Sequence, residues 1–267
     1  MRAGGCSAGY TAFGVRFRLR AERGEMLNAM RARVPYGAEQ CAAAGSGSEF
    51  ALLGTGEDGY RLIEGSHVAG ESAQPCVLLD QLGRDLMVHV ANCAPDLVFV
   101  HAGVVGWRGR ALLLPGSSFA GKTTLVAALV RLGALYYSDE YAVVDRCGLV
   151  HPYARDLQAR EEGRVEQVPL TAAELDGATG EAPLAVSHVI FAEYAVGARW
   201  KPGSVSAGEA VLEMMRHAIA VQRTPGRVMA TLATMMERAS ALRGLRGEAS
   251  ETARALLSAL DGTGEAV

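Results

Sequence analysis

The run from Leu112 to Asp145, LLLPGSSFAGKTTLVAALVRLGALYYSDEYAVVD, constrains this chain more than any other stretch. Gly116, Gly121, Lys122 and Thr123 satisfy the pattern G-x-x-x-x-G-K-[ST]. An apolar run precedes them and a helical pattern follows, which is the context that gives the pattern meaning. The chemistry asks for these residue types. Glycines let successive backbone N–H groups turn inward on a polyphosphate, and the following helix adds its own N–H groups and the positive end of its dipole. Lys122 is placed to reach the outer phosphates and the Thr123 hydroxyl to meet Mg²⁺. The nine residues Gly116, Ser117, Ser118, Phe119, Ala120, Gly121, Lys122, Thr123 and Thr124 are therefore expected to hold a nucleotide cofactor, ATP with Mg²⁺. Lys122 and Lys201 are the only lysines; every other cationic side chain of this class is arginine. Lysine stands where a compact ammonium suits phosphate.

Composition narrows the rest. The chain has 267 residues, 49% of them apolar and 21% charged, with a net charge of −3, so it can bury a core and lacks the basic excess of a nucleic-acid binder. Five cysteines with no C-x-x-C pair suggest neither a disulfide framework nor a zinc site, and read as mostly buried thiols in a reducing compartment. The start, MRAGGCSAGY, lacks the apolar segment of a signal peptide, and no apolar run is long enough to span a membrane. A cytoplasmic protein is expected, with neither membrane nor nucleic acid as a partner. A homo-oligomer is left open.

Along the chain, YTAFGVRFRLR alternates as a half-buried or edge strand, Glu25 to Val34 reads as a helix, and FALLG and YRLIEG read as a hairpin. These predict a small α+β domain over 1–78. A P-loop catalytic domain follows over 79–267. It opens with a helix over Leu79 to Cys93. Two apolar strands meeting at Gly109 then feed the phosphate loop, and a helix from Lys122 stops at Gly133. ALYYSDEYAVVD reads as strands joined at Asp139-Glu140, GLVHPY as a further strand, and AREEGRVEQVPLTAAELDGATGEAP, 159–183, as a mobile surface stretch with room for a short helix at TAAEL. Leu184 to Tyr194 is a buried-strand candidate. The tail reads as helical over Ala207 to Val221, Pro225 to Leu242 and Glu248 to Leu260.

A phosphate loop needs acids to hold metal or accept a proton. Asp139 and Glu140 lie 17 and 18 positions beyond Lys122, which leaves room for one helix and one strand back to the same sheet edge. Read alone, His101 is a buried, hydrogen-bonded histidine, and Arg155 and Arg160 are surface arginines.

Together, the loop, this acidic pair and a histidine 15 positions before Gly116 resemble the C-terminal catalytic domain of HPr kinase/phosphorylase. The likeness is specific over about His101 to Asp145 and weaker to Arg160. Tyr10 to Gly14 is similar to the Y-x-A-F-G-like opening of the wider HPr-kinase-like group, which includes kinases of peptide-modification clusters. The resemblance implies His101, Lys122, Asp139 and Glu140 as catalytic residues, Glu140 as the proton acceptor, and Thr123 and Asp139 as metal ligands. It also implies Gln158 as a metal ligand, since Leu157-Gln158-Ala159-Arg160 falls where the group has Leu-Glu-x-Arg. The chain departs from the group at Phe119, usually Gly, at Thr123, usually Ser, and at the neutral Gln158. The activity implied is transfer of phosphoryl from Mg·ATP to a hydroxyl, serine on a small protein or peptide. A small-molecule kinase or NTPase, and a non-catalytic nucleotide sensor, are the alternatives.

Overall fold

The computed structural model describes residues 5–42, 47–56, 59–116, 121–160 and 167–262. It is a mixed α/β structure with several sheets and, among the described residues, six α-helices. The backbone divides into two units, Met1–Pro95 and Asp96–Val267.

In the first unit, β1 (Cys6–Ala12) and β2 (Val15–Ala21) form a hairpin around Phe13 and Gly14, both at positive φ (50° and 79°), as a tight two-residue turn with the twist of its strands requires. Val15, Phe17, Leu19 and Ala21 face inward. Of the alternating arginines, Arg20 pairs with Glu49 at 2.8 Å. Then follow α1 (Gly24–Arg31), β3 (Glu39–Cys41), β4 (Ser48–Gly54), β5 (Tyr60–Glu64), β6 (His67–Ser72) and α2 (Pro75–Cys93). The six strands order as β3-β1-β2-β4-β5-β6, which makes β2 an internal strand. Leu78, Leu82, Leu86 and Val90 of α2 are buried, and this helix packs on β5 and β6. The division therefore falls after Pro95 and not at residue 78: the helix that the sequence assigns to the second domain belongs with the first sheet.

The second unit contains β7 (Leu97–Trp107), β8 (Arg110–Pro115), α3 (Lys122–Arg131), β9 (Leu135–Ser138), β10 (Tyr141–Asp145), β11 (Leu149–His151), β12 (Leu157–Arg160) and β13 (Gln167–Leu170). β14 (Leu184–Tyr194), β15 (Gly203–Val205), α4 (Ala207–Met215), α5 (Pro225–Met236), β16 (Ser240–Arg246) and α6 (Ala249–Gly262) complete it. The main sheet runs β11-β10-β7-β8-β14-β16-β15, with β9 also on β7 and β11 also on β14. β8, β14 and β16 are mutually parallel neighbours, whereas β7 is antiparallel to β8 and β10. Leu113 and Val189 face the cluster built with Met214 of α4 and Leu232 of α5, while Leu112, Leu114 and Ile190 face the one built with Leu129 of α3 and Leu256 of α6. Both faces are covered, so β8 reads as a continuous apolar run and not as an alternation.

Three expectations are corrected. The tail is not wholly helical: Ser240–Arg246 is β16, paired in parallel with β14 from His188↔Ser240 to Tyr194↔Arg246, where a helix to Leu242 is read from sequence. The segment 159–183, read as mobile, holds β13 and the end of β12 in a two-stranded pairing, with 161–166 outside the described residues. All five cysteines are free, but Cys6, Cys76, Cys93 and Cys147 are exposed and Cys41 is half-buried, because they fall at strand ends, helix ends and turns and not on the packed faces. Among the described residues, no helix is long and apolar enough to cross a membrane.

Candidate functional site

β7 turns into β8 through Arg108 and Gly109, at φ 48° and 72°, so the buried strand ends at Pro115 with Gly116 directly beyond. The Gly116 N–H donates to the His101 carbonyl at 3.3 Å, which ties the start of the loop to β7. Ser117, Ser118, Phe119 and Ala120 lie outside the described residues. The chain re-enters at Gly121, in the left-handed region at φ 72°, and α3 begins at Lys122. A side chain at Gly121 would collide with the Arg246 guanidinium, so the position requires glycine for its space as well as its φ.

Lys122 Nζ donates to the Gly116 carbonyl at 2.8 Å, spanning the loop from helix to strand. Burial lowers its pKa, while Asp139 and Glu140 oppose the shift. Thr123 faces the strand junction and Thr124 is exposed.

The acidic pair sits where β9 passes into β10. The buried Ser138 hydroxyl accepts the backbone N–H groups of Glu140 (3.0 Å) and Tyr141 (2.9 Å), and this bend sends the two carboxylates to different partners. Asp139, 8% exposed, accepts the Thr123 hydroxyl at 3.0 Å and the Gln158 backbone N–H at 3.3 Å on one oxygen. Its other oxygen lies 3.2 Å from the Tyr136 hydroxyl, which is also 2.6 Å from the Arg155 carbonyl. Glu140 lies 3.4 Å from the Arg155 guanidinium. Burial raises its pKa, Arg155 and Lys122 pull it back and Asp139 pushes it further; with 38% of the side chain exposed, water moderates these effects.

His101, opposite Tyr141 in the β7–β10 pairing, stacks on that ring with centroids 5.3 Å apart. Its Nδ1 is 2.7 Å from the Glu140 carbonyl. A carbonyl only accepts, so Nδ1 carries the proton. Burial, then the Lys122 charge, holds the imidazole below its ordinary pKa and therefore neutral near pH 7.

The fold thus draws His101, Gly116, Gly121, Lys122, Thr123, Asp139 and Glu140 into one neighbourhood. Gln158 meets it differently from its expected role: its backbone N–H reaches Asp139, while its side-chain amide donates to the Asp156 carbonyl at 3.2 Å and is exposed. Arg155 is more than a solvated arginine, since it pairs with Glu140; the Arg160 side chain lies outside the described residues. Tyr136 and Arg246 escape a reading of the sequence. Tyr136 looks like one more apolar strand residue, and Arg246, 3% exposed, donates to the Gly121 carbonyl at 3.0 Å from a strand whose end falls between two helices read from sequence.

What the geometry defines is a strand–loop–helix with lysine and hydroxyl at the helix start, facing a carboxylate on a neighbouring strand end. Neither a family model nor a curated protein sequence matches the chain.

Proposed function

We propose that the second unit is an HPr-kinase-like P-loop domain that binds Mg·ATP and transfers the γ-phosphoryl group to a hydroxyl, serine on a small protein or peptide. The single observation that carries this reading is the contact of Thr123 with Asp139 beside Lys122, because it joins the loop's hydroxyl to an acid from another element. One hydroxyl and one carboxylate suit Mg²⁺, which keeps waters and takes its remaining ligands from phosphate. Thr123 and Asp139 would hold the ion, which when bound neutralises charge on the transferring group.

Lys122 would neutralise the outer phosphates; burial lowers its pKa, and the charges of Asp139 and Glu140 favour its cationic form. The acceptor oxygen bonds to the γ-phosphorus as the bond to the β-phosphate bridging oxygen breaks. The hydroxyl proton passes to Glu140, ADP leaves, and the phosphate ester remains. A raised pKa suits Glu140 to this work. His101 acts on the backbone of that base, its Nδ1–H gripping the Glu140 carbonyl. Positioning and charge supply most of the effect.

The test is incubation of the full chain with γ-labelled ATP, Mg²⁺ and peptides encoded beside its gene. Label on a peptide is expected. Free labelled phosphate alone would make the chain an NTPase, and bound, uncleaved ATP a sensor.

A further inference from the structure

The three parallel strands β8, β14 and β16 run in one direction and end at one edge, with Gly116, Tyr194 and Arg246 at or just past their last residues. Open α/β sheets place their ligands outside this edge. Along the sheet, β7 and β10, which carry His101 and lead out of Glu140, lie on one side of β8; β14 and β16 lie on the other. Gly116 and Gly121, which bracket the expected phosphate loop, therefore stand between two flanks. One flank holds the acid, the histidine and Arg155. The other holds an aromatic ring.

That ring is Tyr194. It is 46% exposed, yet it is held on three sides of its chemistry. Its backbone pairs in register with Arg246, the Arg246 guanidinium lies over its face 5.2 Å from the centroid, and its hydroxyl donates to Glu248 at 3.1 Å. The same guanidinium, buried between strand and helix, donates to the Gly121 and Gly247 carbonyls at 3.0 and 3.1 Å. One guanidinium's width thus separates an exposed, oriented aromatic ring from the start of the phosphate-loop helix. An exposed tyrosine ordinarily keeps its side-chain freedom; here that freedom is already spent, which lowers the cost of stacking something on it.

Resting on the nucleotide reading above, we propose that Tyr194 is the platform for the base of the bound nucleoside triphosphate. The nucleotide would run from the β14–β16 flank past Gly121 and Lys122 to the β7–β10 flank, base against Tyr194 and γ-phosphate toward Glu140 and His101. Stacking on a tyrosine face is available to every base, so the site would favour a nucleotide over bare polyphosphate without choosing strongly among bases.

The experiment compares binding of Mg·ATP and of magnesium tripolyphosphate to the full chain by titration calorimetry. In Tyr194→Ala, ATP should bind about tenfold or more weakly, the order expected for one lost stack, while tripolyphosphate is unchanged. Tyr194→Phe, which keeps the ring and drops only the bond to Glu248, should retain ATP affinity within about twofold, since the Arg246 guanidinium still lies over the ring and holds its face. Unaltered ATP affinity in Tyr194→Ala overturns the platform. So does an equal loss for both ligands, which would mean that Tyr194 acts on the loop through Arg246. If the unaltered protein binds tripolyphosphate but not ATP in preference to it, the base subsite fails and the phosphate loop stands; if it binds neither, the nucleotide reading falls as well.

Discussion

The Thr123 hydroxyl donates to Oδ2 of Asp139 at 3.0 Å, across 16 positions of chain. The two residues come from a helix start and a strand end, and the Gln158 N–H and the Tyr136 hydroxyl hold the carboxylate from its other sides. A carboxylate with three such neighbours has little rotational freedom left, so a cation arriving with phosphate would meet a ligand pair already in place.

Replacing Lys122 with alanine is expected to weaken Mg·ATP about ten- to a hundredfold, the usual worth of a hydrogen bond to a charged group, with the melting temperature unchanged. Its ammonium donates to the Gly116 carbonyl, feels the charges of Asp139 and Glu140 and belongs to no apolar cluster, so the fold should not depend on it. Nucleotide titration and thermal melting check both parts.

Asp139→Asn and Glu140→Gln should separate. The first removes charge from the pair with Thr123 and should weaken the Mg²⁺ dependence of nucleotide binding; the second should keep binding and lower single-turnover transfer by about 10²- to 10⁴-fold, the worth of a general base. Glu140→Gln should also melt slightly higher at pH 7. A raised pKa means the folded state prefers the protonated acid, so its contribution is present below the unfolded pKa and lost as pH rises, and the neutral amide avoids that loss. Full transfer by both variants would leave the acidic pair a structural junction with no part in the chemistry.

Gln158→Ala should leave the Mg²⁺ dependence of binding unchanged, because the side chain turns to the Asp156 carbonyl and only the backbone N–H reaches Asp139. A tenfold shift in the Mg²⁺ midpoint would restore the side chain as a ligand.

Gly121→Ala should lower stability by about 1 kcal/mol or more, since a left-handed φ of 72° costs an L-residue that much before the new methyl meets Arg246. Gly226→Ala, in helix α5 with open space around it, should instead stabilise by about 0.4 to 1 kcal/mol. Denaturant melts of the pair measure the contrast.

Three histidines, His101, His188 and His217, are held below the ordinary 6.5, in each case first by burial. The folded state keeps them neutral, so their contribution is present above 6.5 and lost as pH falls, when the unfolded chain takes up protons that the folded chain does not. Thermal melts between pH 8 and pH 5.5 should fall toward acid, and unfolding near pH 6 should consume protons.

Sequence alone determined what rests on neighbours in the chain. The strand–loop–helix around Gly116 to Arg131, the tight turn at Arg108-Gly109, the strand junction at Asp139-Glu140 and the buried strand over 184–194 all follow from local periodicity and turn chemistry, which act over a few residues. Tertiary structure alone decided the rest. Ser240–Arg246 becomes a strand because β14 offers it a parallel edge, with His188 paired to Ser240, 52 positions on, which no local pattern reveals. Helix α2 joins the first unit because β5 and β6 offer its leucines a face. The orientation of Gln158, the link from Tyr136 to Asp139, and the Arg246 guanidinium between Tyr194 and Gly121 depend on where side chains from separate elements meet, and those meetings are set by packing and not by sequence spacing.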